Sequence, residues 1–114
     1  MGIPVETPAA NAAAFAALAA SIGLVMQDGA GNGSQGNISL GIGQTSTITG
    51  NSNLRFGYKA GAALTSGIGN TLIGENAGKS ITTGINNTAV GWDSQMFLVS
   101  GQNNTSLGED ALKY

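Results

Sequence analysis

Asn70-Thr71-Leu72-Ile73-Gly74 is one of five copies of a single tag. The others are Asn37-Ile38-Ser39-Leu40-Gly41, Asn53-Leu54-Arg55-Phe56-Gly57, Asn87-Thr88-Ala89-Val90-Gly91 and Asn104-Thr105-Ser106-Leu107-Gly108. The first interval between tag asparagines is 16 residues and the later three are 17 each. A fixed short period means stacked, near-identical units rather than one irregular globule.

Taking the tag asparagine as column zero aligns the rest. Gly50, Gly67, Gly84 and Gly101 stand three residues before a tag, at column fourteen. Column seven is small (Ala60, Ala77, Ser94, Ala111) and column eleven aliphatic (Leu64, Ile81, Leu98). Column three is always large and apolar (Leu40, Phe56, Ile73, Val90, Leu107), whereas column two varies through Ser39, Arg55, Leu72, Ala89 and Ser106. A constant apolar position beside a variable one is read as a half-buried strand. Columns three, seven and eleven are therefore expected to line the interior, with column one pointing inward too.

From residue 37 onward the charges are Arg55, Lys59, Glu75, Lys79, Asp93, Glu109, Asp110 and Lys113, all in columns two, five, six and nine. The cost of burying charge makes those columns the expected outer ridge. The asparagines Asn37, Asn53, Asn70, Asn87 and Asn104 are expected to stack as an amide ladder. Glycines at columns four and fourteen suit sharp bends with positive φ. The residue missing from the first copy is placed between Gln44 and Ile48, where a corner can shorten.

Composition narrows the chemistry. The chain has 114 residues, net charge −2, 9% charged residues, no cysteine and no histidine. There is no basic footprint for nucleic acid, no disulfide framework or thiolate metal site, and no histidine base or ligand. Gly74-Glu75-Asn76-Ala77-Gly78-Lys79-Ser80 is one residue short of a phosphate loop, with Ile73 where its first glycine belongs. Glu75, Asp93, Glu109 and Asp110 read as solvated surface, and column six lacks the recurrent acid of a calcium solenoid. No catalytic, cofactor or metal residue is expected, and the chain is not read as an enzyme.

Residues 8–26 read as an alanine-rich helix with Pro8 in its first turn. Phe15, Leu18, Ile22 and Val25 follow 3-4-3 spacing, a seam suited to trimeric self-association or to one amphipathic contact. Nineteen largely apolar residues also approach membrane-spanning length, against which stand Asn11, Ser21 and the absence of flanking Lys or Arg. Glu6 and the lack of positive charge argue against a secretory leader. Expected domains are 1–26 (arm and helix, for attachment), 27–36 (glycine-rich linker) and 37–114 (repeat β rod).

Tyr58 and Trp92 share column five, where an exposed aromatic suits stacking on a sugar or anchoring a partner; the plainer reading folds them against a neighbouring chain. Partial threonine columns (Thr71, Thr88, Thr105 and Thr65, Thr82, Thr83) suggest an ice-binding face, interrupted by Ile38, Leu54 and Val99.

The stretches 69–74, 86–91 and 103–108, each followed by x-x-Ala or x-x-Ser, resemble repeats of bacteriophage head and tail fibre proteins. They are also similar to the β-roll heads of trimeric autotransporter adhesins. The resemblance covers 37–114 and implies an intertwined homotrimer on a particle or cell surface. The reading is a mainly β protein: an N-terminal α-helix, then a β-solenoid or β-roll-like rod of 17-residue repeats. Its expected role is a structural virion protein, a short head fibre or decoration spike in preference to a tail fibre. Expected partners are further copies of itself, capsid or tail proteins bound through the N-terminal arm, and a host surface glycan, with no nucleic acid, membrane or cofactor. A non-virion ice-binding solenoid and a bacterial adhesin segment are the alternatives.

Overall fold

A computed structural model describes residues 8–22, 24–27, 36–44 and 48–114. The N-terminal arm through Thr7 and most of the glycine-rich linker, 28–35, lie outside the described residues.

The chain is mainly β. A helix, α1 (Pro8–Ile22), precedes β1 (Leu24–Gln27), and five short strands follow, one per tag: β2 (Asn37–Leu40), β3 (Leu54–Phe56), β4 (Thr71–Ile73), β5 (Thr88–Val90) and β6 (Thr105–Leu107). They form one sheet in sequence order. Strands β2 to β6 are parallel and in exact column register, Thr71 opposite Thr88 and Thr88 opposite Thr105. Ile68, Ile85 and Gln102 form a second bridging line. Parallel neighbours joined by one coil each are a β-solenoid.

The helix is shorter than its seam predicts. It stops at Ile22, and Val25 lies in β1, antiparallel to β2 with Leu24 opposite Leu40 and Gln27 opposite Asn37. Gly23 is the stop signal that the 3-4-3 spacing obscures. The boundary drawn after residue 26 therefore falls inside a strand of the rod's own sheet. β1 covers the outer edge of β2, an edge that would otherwise be open to pairing.

Each coil turns at left-handed positions. Column four is always glycine, with φ from +116° at Gly108 to +147° at Gly41. A Cβ on Gly74 would lie 2.6 Å from the carbonyl oxygen of Gly91, so neither the conformation nor the spacing admits a side chain. Column six is left-handed too, at Gly43 in the first coil and without glycine at Lys59, Asn76, Asp93 and Asp110, with φ near +56°.

The coil shortens elsewhere than expected. Thr65 N and Gly67 N both donate to Thr82 O, and the same pair of bonds to Thr65 O comes from Thr49 N and Gly50 N. The missing residue is thus the counterpart of Ser66, between Thr49 and Gly50. Ile48 keeps column eleven and is fully buried beside Leu64.

Candidate functional site

The tag asparagines form a continuous buried ladder. Asn70 donates from its backbone N and from Nδ2 to Asn53 Oδ1, at 3.0 and 2.9 Å. Its second Nδ2 proton goes to Gly84 O at 2.8 Å, and its own Oδ1 accepts from Asn87 N and Nδ2. The same set repeats at Asn53 and Asn87. Asn37 opens the ladder by donating Nδ2 to Gly50 O and accepting from Asn53 N and Nδ2 at Oδ1, so the side-chain oxygen and nitrogen of each of these buried amides are bonded. Asn104 ends the ladder with its two bonds to Asn87 Oδ1. Column fourteen is glycine for this reason and not for a positive φ: a Cβ on Gly84 would meet Asn87 Nδ2 at 2.7 Å.

The interior differs from expectation by one residue. Column two faces inward: Ser39, Arg55, Leu72, Ala89 and Ser106 are all buried. Column three, expected in the core, faces outward. Leu40, Ile73 and Val90 are half-buried, while Phe56 is 51% and Leu107 78% exposed. Column one faces outward with it, because strand residues alternate. The expected interior columns seven and eleven do lie inside: Ala60, Ala77, Ser94, Leu64 and Ile81 are fully buried, with Leu98 packed partly against them.

Column two varies because column eight varies against it. Arg55 and Leu72 are matched by Gly61 and Gly78, whose absent Cβ atoms would fall 2.7 Å from Arg55 Cδ and 2.6 Å from Leu72 Cδ2. Small Ala89 is matched by the buried Gln95, whereas at the end of the rod Leu112, in the same column opposite Ser106, is exposed. Gln95 reaches inward, Nε2 donating to Thr88 O at 2.9 Å, while its Oε1 is buried without a partner. Ser94 Oγ and Ser106 Oγ hydrogen-bond beside it.

Arg55 was expected on the wet ridge and is instead fully buried. Nε donates to Ser39 Oγ at 2.8 Å and Nη1 to Gly61 O at 3.2 Å. Burial lowers its pKa to about 10. Asp93 is also mostly covered; the hydrogen bond from Asn76 Nδ2 (2.9 Å), with Lys113 Nζ at 3.0 Å, holds its carboxyl below the usual range. Lys113 is raised in turn, first by Asp110 at 2.9 Å and then by Asp93. The other charges of columns five, six and nine are at least partly open to solvent.

The remaining candidates are surface groups. Tyr58 and Trp92 are 47% and 52% exposed, and Lys59 Nζ sits 4.9 Å from the Tyr58 ring centre. In α1, Phe15 and Leu18 are 65% and 60% exposed, and Ile22 is the last helical residue. A cleft of about 340 Å³ lies at the end of the last coil, bordered by Phe97, Leu98, Val99, Asn104 and Tyr114; the Phe97 and Tyr114 rings stack at 5.7 Å. Its lining carries no charged group. Among the described residues no cluster of acids is placed to hold a metal, and no helix is long and apolar enough to cross a membrane.

Columns one and three of the sheet, with column five in the turn beside them, present exposed apolar groups that include Ile38, Ile42, Phe56, Tyr58, Trp92 and Leu107, each at least 45% exposed. No protein-family model, curated protein or solved structure matches the chain.

Proposed function

We propose that this chain is a structural virion protein, a short homotrimeric fibre or spike on the surface of a phage particle, serving on the head in preference to the tail. The observation that carries the reading is the outward column of Phe56, Ile73, Val90 and Leu107 along a rod with a slender interior. A soluble single chain rarely leaves so long an apolar stripe uncovered, and assembly covers it. The resemblance of the 69–74, 86–91 and 103–108 tags to phage fibre repeats supports the same role. The segment before β1, residues 1–22, is the attachment element, and Tyr58 and Trp92 are the groups best placed to meet a host surface glycan. The mass of the native assembly, and probing of purified particles for the chain, test this reading. A monomer absent from particles would end it.

A second reading has one observation in its favour. Thr71, Thr88 and Thr105 face outward in register beside an aliphatic column, as an ice-binding surface requires. Thermal hysteresis in solution separates the two.

A further inference from the structure

Building on the trimeric reading, we infer that the outer sheet face, columns one and three of β2 to β6, is the surface on which three copies of this chain pack around an axis parallel to the rod. Its ten positions are Ile38, Leu54, Thr71, Thr88 and Thr105 in one column and Leu40, Phe56, Ile73, Val90 and Leu107 in the other, and none is charged. Identical faces can meet only where like charges do not oppose each other, and this face meets that condition at every rung. The side formed by columns six and nine does not, and the side beyond it is uncharged but polar, with little apolar surface to bury. Lys59, Asp93 and Asp110 lie in column six with Asn76, Lys79 and Lys113 lie in column nine, and the side beyond carries the polar Thr65-Ser66 and Thr82-Thr83 pairs.

Area decides what else takes part. Five rungs about 4.8 Å apart, with the two outward columns and the column-five rim beside them, give a face of roughly 300–500 Å². A stable pair buries about 600–1,000 Å² on each partner, so the sheet face is too small by itself. Helix α1 is uncharged over its 15 residues and packs against β1, whose strand extends the same sheet. About 22 Å long and 10 Å across, it adds roughly 200 Å² of apolar surface at the end of the face. The occupant that covers both strips together is another copy of the same chain, with Phe15 and Leu18 meeting their counterparts while the sheet faces meet theirs. Column five then lies at the rim, leaving Glu75 and Glu109 in water.

The chain contains no cysteine, so single-cysteine variants report position cleanly. Ile73→Cys and Val90→Cys, treated with a short bismaleimide, should give covalent dimers; Thr83→Cys, exposed on another side, should not. Ile73→Asp and Phe56→Ser should both convert the native assembly to monomers by sedimentation while the far-ultraviolet circular dichroism of the rod persists. A trimer that cross-links through Thr83→Cys but not Ile73→Cys, or that survives both substitutions, overturns the assignment of this face and leaves the trimer standing. A monomeric wild-type chain overturns the trimeric reading itself, and thermal hysteresis from that monomer would assign the face to ice.

Discussion

The Cβ that Gly61 lacks would sit 2.7 Å from Arg55 Cδ, inside the volume the arginine side chain occupies. One coil later, Gly78 stands in the same relation to Leu72. The next coil inverts it, Ala89 with Gln95. The interior is a fixed cross-section that two columns share, and close packing makes each pair a unit.

Ala89→Leu alone should overpack against Gln95 and cost about 1–3 kcal/mol. Adding Gln95→Gly should recover most of that, since it restores the Leu72–Gly78 arrangement, relieves a left-handed non-glycine residue (φ 49°) and removes the unpaired Oε1. Urea denaturation of the two single variants and the double should give a coupling of at least about 1 kcal/mol. Additive effects would show that the two columns do not share space.

The ladder gives a graded test. Asn70→Ala strips the acceptor from Asn87 N and Nδ2 and the donor from Gly84 O, all in the interior. With each orphaned buried group costing about 1–3 kcal/mol, the loss should be several kcal/mol. Asn104→Ala, at the ladder's end, removes two bonds from a partly exposed site and should cost markedly less. Comparable melting temperatures for the two would contradict the ladder's contribution.

Leu72 and Ile73 are adjacent, yet one is fully buried and the other half-covered on the outer face. Leu72→Ala should destabilise the fold by about 2–5 kcal/mol. Ile73→Ala, compared in dilute monomer, should change it by less than about 1 kcal/mol. Reversed magnitudes would restore column three to the interior.

Arg55 is tolerated more than favoured. Its pKa of about 10 lies below the ordinary 12.5, a penalty of roughly 3 kcal/mol on the charged form. Because the folded value is the lower one, the unfolded chain holds its proton more tightly; the cost is complete at neutral pH and eases only as pH rises past 10. Arg55→Leu reproduces the neighbouring Leu72–Gly78 coil, and Ser39→Ala removes the hydroxyl it would orphan. The double variant should melt higher than wild type at pH 7. A lower melting temperature would mean that the buried guanidinium holds the coil together.

Asp93 sets an acid limit. Its carboxyl is held below the ordinary value, so its contribution is present above about pH 4 and fades as pH falls through the folded pKa. Lys113 is raised, so its share persists through neutrality and is lost only in strong alkali. Asp93→Asn keeps a residue suited to the left-handed turn and should melt lower than wild type at pH 7, the gap closing by pH 2. A pH-independent gap would exclude the ionic contribution.

The period, the asparagine ladder and the column-four glycines were legible in the sequence because each repeats a backbone requirement that one residue type meets. The facing of the strand was not. A column that is always large and apolar looks like a core, but here it is the outer face. The true inner column is irregular because Arg55, Leu72 and Ala89 are balanced by Gly61, Gly78 and Gln95 six residues away. A buried arginine beside Ser39 also defeats any rule that confines charge to the surface. The helix was overextended for a related reason: Val25 fits both the heptad spacing and a strand, and Gly23 decides between them.

The pairing of columns two and eight also bears on how such a rod gains or loses length. Any unit of 17 residues can be copied or deleted only as cleanly as its boundary allows. A recombination breakpoint between columns two and eight would join Leu72 to Gln95, or Ala89 to Gly78, and leave one coil overfilled or hollow. A breakpoint between column nine and the next asparagine transmits each matched pair intact. Related genes that differ in coil number should therefore carry their duplication junctions in that second interval, near the polar Thr-Thr-Gly turn, with the first interval inherited whole.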